Sequence, residues 1–189
     1  MKFLADEMCG NLSRWLRMLG YDTTYAKDYE SAEENPVMDS TIIEICFNQQ
    51  RILVSRDREM IEIMAHRFLK LADVNKKVYS DFDIRRYADK LNSPCILLKS
   101  QEIIRNLRQI RDKFNITLNY DINRTRCPRC NSLFSRIDNI ESVKGLIPTK
   151  VFEFHDKFWR CKNSGCGKIY WMGTHFKDII ATLEKAKNS

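Results

Sequence analysis

Two closely spaced pairs of cysteines constrain this chain more than any other feature of its sequence. Cys127-Pro128-Arg129-Cys130 sets two thiols with two residues between them, and Cys161-Lys162-Asn163-Ser164-Gly165-Cys166 follows after a spacer of 30 residues. A tight turn within each pair brings two sulfurs to one ion, and four thiolates in tetrahedral array suit Zn²⁺. Gly165 and Gly167 give the wider second knuckle the turn freedom it needs. Four protein ligands leave no open coordination position, so a structural zinc is predicted. In modules this small such an ion contributes about 10–16 kcal/mol. An iron–sulfur cluster is the main alternative, and the β-rich spacer between the knuckles favours zinc. His155 and His175 are potential substitutes for one cysteine. Cys9, Cys46 and Cys95 lie in apolar surroundings and read as small buried hydrophobes.

Clustered cysteines of this kind belong to a reducing compartment. The N-terminus meets Asp6 after three apolar residues, which gives no secretory h-region. No apolar run approaches the ~20 residues that cross a bilayer. The expected location is cytoplasmic, with no membrane partner.

Upstream of the cysteines, short apolar runs alternate with amphipathic segments. Lys2-Phe3-Leu4-Ala5, Thr23-Thr24-Tyr25, Arg51-Ile52-Leu53-Val54-Ser55 and Cys95-Ile96-Leu97-Leu98 predict strands. Helices are predicted over Gly10 to Leu19, with Gly20 as the stop, and from Asp39 with Ile42, Ile43, Cys46 and Phe47 as the apolar face. Further helices are predicted from Arg58 to about Leu71, from Asp81 to Leu91, and from Gln101 to Phe114. Strands that are apolar throughout belong to a parallel sheet covered on both faces. Residues 1–120 are therefore expected to form an α/β sandwich around a central parallel sheet. Residues 121–189 form a second, smaller unit: an antiparallel zinc ribbon that includes Val151-Phe152-Glu153-Phe154 and Lys168-Ile169-Tyr170-Trp171, then a helix from His175 to Lys187.

The net charge of +7 is unevenly spread. Residues 1–120 carry 19 Lys and Arg against 18 Asp and Glu, and residues 121–189 carry 13 against 7. A basic C-terminal third points to a polyanion, most simply nucleic acid. Arg124, Arg126, Arg129, Lys150, Arg160, Lys162 and Lys168 would hold phosphates, and one of Phe158, Trp159, Tyr170 and Trp171 could stack on an unpaired base.

The acids of the N-terminal part fall at element boundaries. Asp6 follows the first strand, Asp57 follows the Ile52–Ser55 strand, and Asp39 opens a helix. The carboxyl ends of parallel strands border the functional crevice of an open sheet, so these carboxylates converge there if the strands are neighbours. Two unit charges 4 Å apart repel by about 4 kcal/mol at an effective dielectric of 20. A divalent cation relieves that repulsion, and oxygen ligands without histidine favour Mg²⁺ or Mn²⁺. Asp is also a preferred N-cap, which gives Asp39 and Asp57 a purely structural alternative.

These blocks carry a resemblance. Phe3-Leu4-Ala5-Asp6-Glu7-Met8, followed by Gly10-x-Leu12-x-Arg14-Trp15-Leu16-Arg17-x-Leu19-Gly20-Tyr21-Asp22-Thr23, resembles the opening of PIN-like ribonucleases of the family named after the C-terminal domain of the Mut-seven exonuclease. Arg51–Arg58 resembles its second block. Cys127-Pro128-x-Cys130-Asn131-x-Leu133 and Gly167-Lys168-Ile169-Tyr170-Trp171-x-Gly173-x-His175 resemble its zinc-ribbon blocks. The second knuckle departs from the family's usual two-residue spacing, and residues 66 to 92 are longer than its usual connection.

The resemblance implies a PIN-like three-layer sandwich and metal-dependent RNA cleavage, with Asp6, Asp39 and Asp57 as catalytic acids that bind Mg²⁺ or Mn²⁺; endonucleolytic cleavage is the expected mode. Glu102 is the positional candidate for a fourth acid, with Asp22 and Asp28 as rivals. Arg14, Arg17, Arg56 and Arg58 flank the acidic blocks and are expected to hold phosphates. The implied partner is RNA, ribosomal or otherwise structured, and PIN-like domains leave room for a homodimer. The competing reading is a catalytically inactive RNA- or ribonucleoprotein-binding protein. A toxin of a toxin–antitoxin pair is less favoured, because such toxins need no appended ribbon.

Overall fold

The computed structural model describes residues 1–32, 35–72 and 94–188. The expected helix over 81–91 lies outside the described residues. Four strands, β1 (Lys2–Ala5), β2 (Asp22–Tyr25), β3 (Ile52–Ser55) and β4 (Cys95–Leu97), form one wholly parallel sheet in the order β2-β1-β3-β4. The helices α1 (Gly10–Met18), α2 (Asp39–Gln49), α3 (Arg58–Ala72) and α4 (Ile103–Phe114) connect or follow them.

Strand side chains alternate between faces, so a sheet covered on both sides needs apolar residues at every position. The structure shows this directly. Phe3, Val54 and Ile96 point into one core with Leu12 and Leu16 of α1 and Leu107 and Ile110 of α4. Their neighbours Leu4, Leu53 and Cys95 point into the other, with Ile42, Ile43 and Cys46 of α2 and Ile61 and Met64 of α3. The three cysteines outside the paired set are buried in these cores, as their surroundings predict.

The chain leaves β1 toward β2 on one side, then crosses to β3 on β1's other side. The order thus reverses between β1 and β3. That reversal opens a crevice beyond the carboxyl ends of these two strands, the place where open parallel sheets bind ligands.

The C-terminal part contains an antiparallel sheet of β5 (Phe134–Arg136), β6 (Trp159–Cys161) and β7 (Ile169–Tyr170), a short helix α5 (Thr149–Phe154) and the terminal helix α6 (Thr174–Lys187). Val151–Phe154, expected in the ribbon, is instead part of α5. Pro148 presets a turn whose carbonyl accepts the N–H groups of Val151 (2.9 Å) and Phe152 (3.1 Å), so the chain enters a helix there. A short apolar run cannot by itself distinguish strand from helix.

Helix α6 does not stay with the ribbon. Leu183 and Ala186 enter the same core as Phe3 and Leu107. The last carbonyls of a helix lack partners within it. Here Arg108 and Arg111 of α4 supply donors to Lys185 (2.6 Å), Ala186 (2.8 Å) and Lys187 (3.0 Å). Among the described residues no helix is long and apolar enough to cross a membrane.

Gly20 ends α1 with φ of +88°, a conformation that side chains rarely tolerate. A Cβ there would also lie 2.8 Å from the carbonyl oxygen of Arg124. Gly20→Ala is therefore expected to lower stability by more than about 1 kcal/mol, read as a reduced urea midpoint. An unchanged midpoint would contradict the close approach of the 124 segment to α1.

Candidate active site and metal centre

Asp6 sits in the crevice at the end of β1 and is only 3% exposed. Its Oδ2 accepts the hydroxyl proton of Ser55, the last residue of β3. The Ser55 Oγ in turn accepts the backbone N–H of Asp57 at 2.8 Å. This relay holds the ends of β1 and β3 in register with the acids that follow them. Asp57 Oδ1 accepts the N–H of Met60 at 3.1 Å, which caps the first turn of α3. Asp39 is the first residue of α2, one place inside its N-cap Met38.

Asp6, Asp39 and Asp57 line one cavity of about 200 Å³, together with Glu7, Met8 and the apolar residues Val37, Ile42 and Met60. Partial burial, then the charges of Asp57, Asp6, Glu59 and Glu7, push the Asp39 carboxyl above its ordinary range. Asp6 Oδ1 and Glu7 Oε1 are buried with no hydrogen-bond partner among the described residues. A buried acceptor left unpaired costs about 1–3 kcal/mol, and a bound cation would remove that cost. The donor set, all oxygen, fits Mg²⁺ or Mn²⁺. Among the described residues, however, only the paired cysteines have ligand atoms all within 4.8 Å of one another. The three aspartates share a crevice without converging on a single point.

Glu7 is the acid that the sequence reading missed; its signal is simply that it adjoins Asp6 at the strand's end. Glu102 does not line the crevice. It is the N-cap residue of α4, exposed, with Oε2 2.8 Å from Nε of Arg105. Asp22 lies at the opposite end of the sheet, opposite Lys2 in β1, where it pairs with Arg51 at 2.8 Å. Asp28 is bound to Arg17 at 2.7 Å.

The expected phosphate contacts separate into two groups. Arg14, Arg129 and Lys168 line a polar groove of about 850 Å³ between α1 and the ribbon, with Glu7 at its crevice end. Arg17, expected with Arg14 to hold phosphates, is only 2% exposed. Its guanidinium donates to the carbonyls of Thr23 (2.7 Å), Pro128 (3.0 Å) and Arg129 (3.1 Å) and to Asp28. Four of its five N–H groups donate to the protein, so it fastens the first knuckle to α1. Arg126 likewise faces inward, with Nη1 3.0 Å from the Asn131 carbonyl. Arg56 is half-buried and Arg58 is exposed at the start of α3. Arg160 lines a separate cavity with Arg129 and Lys168.

In the ribbon, Cys127 N–H donates to Ser132 O at 2.7 Å and Asn131 N–H returns to Cys127 O at 2.8 Å, closing the first knuckle. In the second, the Asn163 carbonyl accepts from Cys166 (3.0 Å) and Gly167 (2.8 Å), and its side-chain oxygen accepts from Gly165 (3.0 Å). Asn163 thereby winds the four-residue spacing into a turn. Gly167 completes it with φ of +53°. The four sulfurs come together, with Cys127 and Cys166 at 3.9 Å and Cys130 and Cys161 at 3.3 Å. Zn–S bonds of about 2.3 Å in a tetrahedron require sulfurs about 3.8 Å apart, so these cysteines can hold a metal such as zinc. Neither His155 nor His175 joins the group. Burial opposes ionisation of Cys130, but the Ser132 N–H and the neighbouring thiols outweigh it and draw it down to about 7.

A four-stranded parallel α/β sheet with acids at its switch point, joined to a cysteine ribbon, defines the class. The chain belongs to the Mut7-C RNAse domain family, whose model matches residues 1–183. That membership points to nuclease-type hydrolysis with RNA as substrate or partner. Comparison with curated proteins and with solved structures found no match. The homodimer expected from the resemblance gains no support.

Two outcomes test these centres. Metal analysis of the purified chain should find one zinc per chain, and Cys161→Ser should lose it together with several degrees of melting temperature. Full zinc retention by that variant would contradict the four-thiolate centre. The second outcome concerns Asp39. With its folded pKa raised, stability is fully present below the unfolded carboxylate range and falls as pH rises through the folded value. Asp39→Asn should therefore melt higher than the parent at pH 7 without added divalent ions and equally at pH 3. Added Mn²⁺ should erase the pH 7 difference.

Proposed function

We propose that the chain is a metal-dependent ribonuclease that cleaves RNA phosphodiesters internally at the β1–β3 crevice. The observation that carries this reading is the buried, unpartnered Oδ1 of Asp6, placed beside Asp39, Asp57 and Glu7 where the strand order reverses. Residues 1–120 would carry the crevice, and residues 121–189 would hold substrate.

Asp6, Asp39 and Asp57 would hold Mg²⁺ or Mn²⁺, with Glu7 in place of Glu102 as the fourth acid. When bound, the ion supplies Lewis-acid stabilisation of the phosphodiester oxygens and makes water acidic enough to attack near neutral pH. The chain's own part is positioning. Ser55 donates to Asp6 Oδ2, which leaves Oδ1 free to face the cation. The Met60 N–H fixes Asp57 Oδ1 at the helix start, so the other carboxylate oxygen is available to the crevice. Arg14, Arg129 and Lys168 would draw flanking phosphates along the groove and offset the carboxylates' repulsion of a polyanion. The closed cysteine centre would be structural, because four protein ligands fill a tetrahedral shell.

That Asp57 caps α3 and that the carboxylates do not converge favours a second reading, an RNA-binding protein without activity. End-labelled single-stranded and structured RNAs decide between them, incubated with Mg²⁺, with Mn²⁺ or with neither. Cleavage should need the ion and fall by at least about 100-fold in Asp6→Asn and Asp57→Asn. Binding without ion-dependent cleavage by the parent chain would establish the second reading. Cleavage that survives both substitutions would remove the crevice from the reaction.

A further inference from the structure

Beside the polar groove lies a second cavity of a different kind. It measures about 290 Å³ and lies between β7, the 120–128 segment and the start of α6. Its walls include Tyr120, Phe134, Trp159, Tyr170, Trp171 and Phe176. The rings already meet in pairs: Phe134 and Tyr170 at 4.8 Å between centroids, tilted by 41°, and Tyr120 and Phe176 edge-on at 4.9 Å. Ligand pockets for whole small molecules span roughly 300–1,000 Å³. This one sits at the small end of that range, which suits one planar ring.

The cavity's position says which ring. Pro128, Lys168 and Tyr170 line both this cavity and the polar groove. Glu7 and Met8 line both the groove and the acidic crevice. The three hollows therefore adjoin in series, a path that leads from the carboxylates, past Arg14 and Arg129, to the aromatic walls. Lys168 stands at the junction, with Nζ 5.5 Å from the Tyr170 ring centroid. A ligand that follows this path must alternate anionic groups with planar apolar ones. A single nucleic acid strand does that, whereas a duplex keeps its bases stacked and paired inside.

We infer that the aromatic cavity is a subsite for one unpaired base of the RNA, with the adjoining phosphate on Lys168. The substrate class is then RNA that is single-stranded beside the cleaved bond. The inference deepens the ribonuclease reading and rests on it for the identity of the polymer. The cavity's walls are mostly apolar and aromatic. Its Thr125 hydroxyl lies 2.8 Å from the carbonyl oxygens of both Met18 and Asp121, which share its one proton. Stacking of this kind tolerates any base.

The test measures binding apart from cleavage. Zinc-loaded Asp57→Asn chain, whose Asn still caps α3, is titrated without added Mg²⁺ or Mn²⁺ into a fluorescein-labelled 12-nucleotide RNA, read by anisotropy. The same RNA is presented as a full duplex and with one abasic nucleotide at each position in turn. Abasic substitution at one position should weaken binding about tenfold, as loss of one base–aromatic stack does. Trp171→Ala should reproduce that loss on the intact single strand, Trp171→Phe should restore most of it, and neither should alter duplex binding. Trp171→Ala combined with the sensitive abasic RNA should lose no more than either change alone.

Uniform small losses along the abasic series would overturn the subsite, and that scan needs no substitution in the ribbon. So would additive losses, or duplex bound as tightly as single strand. Metal-dependent cleavage is a separate readout. Cleavage without a base-sensitive position removes the subsite alone. A base-sensitive position in a chain that never cleaves keeps the subsite and removes the nuclease.

Discussion

The buried guanidinium of Arg17 joins the two halves of this molecule. A buried charge is tolerated only when it is paired and hydrogen-bonded. Arg17 meets that condition by donating at once to β2 through Thr23, to Asp28, and to the carbonyls of Pro128 and Arg129 in the first cysteine knuckle. The flat fork of an arginine can do this where a lysine cannot. Asn131, at φ of +65°, reinforces the joint from the knuckle side. Its side chain accepts from Thr23 N–H at 3.0 Å and donates to Asp22 at 2.8 Å. Thr125 and Arg126 add bonds to the carbonyls of Met18 and Arg17. The polar groove is the space this joint leaves open, so its width follows from how Arg17 is satisfied.

The same joint explains why parts of the molecule were legible in sequence and others were not. Consecutive apolar residues in β1, β3 and β4 announced the two-faced sheet, because Phe3 and Leu4 must enter opposite cores. Gly20 announced the end of α1. The cysteine spacing announced the four-sulfur cluster, since thiol pairs on tight turns depend on local geometry alone. Arg17 failed because its knuckle partners, Pro128 and Arg129, lie more than a hundred residues away, and a helix wheel sees only its own turn. Val151–Phe154 failed because a four-residue run carries too little periodicity to separate strand from helix. Glu102 failed because its place in the chain after β4 does not show which way the connecting loop turns. Glu7 was overlooked because it adjoins Asp6, and pattern reading gave the strand end to one acid.

Asp57 shows that structural and chemical readings of one residue need not compete. Its Oδ1 caps α3, and its backbone N–H completes the Ser55 relay to Asp6. Capping fixes the rotamer of a carboxylate that faces like charges, a geometry the repulsion around Asp39 would otherwise disperse. The helix start also presents partial positive charge to it. Local rules of helix initiation thus place an acid at the crevice with its side chain already ordered.

The cysteine centre then acquires a role its own closed shell does not display. The knuckle that carries Cys127 and Cys130 also carries Pro128 and Arg129, which bind Arg17 and wall the groove. The segment that follows the second knuckle carries Lys168 and, in β7, Tyr170, whose hydroxyl lies 3.1 Å from Cys127 Sγ. A metal that fixes the four sulfurs therefore fixes both sides of the proposed RNA path without touching the phosphate to be cleaved. Losing it would release the carbonyls that satisfy a buried guanidinium, and the disturbance would reach α1 and the end of β1. In the proposed enzyme the ribbon's ion and the crevice's carboxylates are linked through Arg17, although their chemistries are separate.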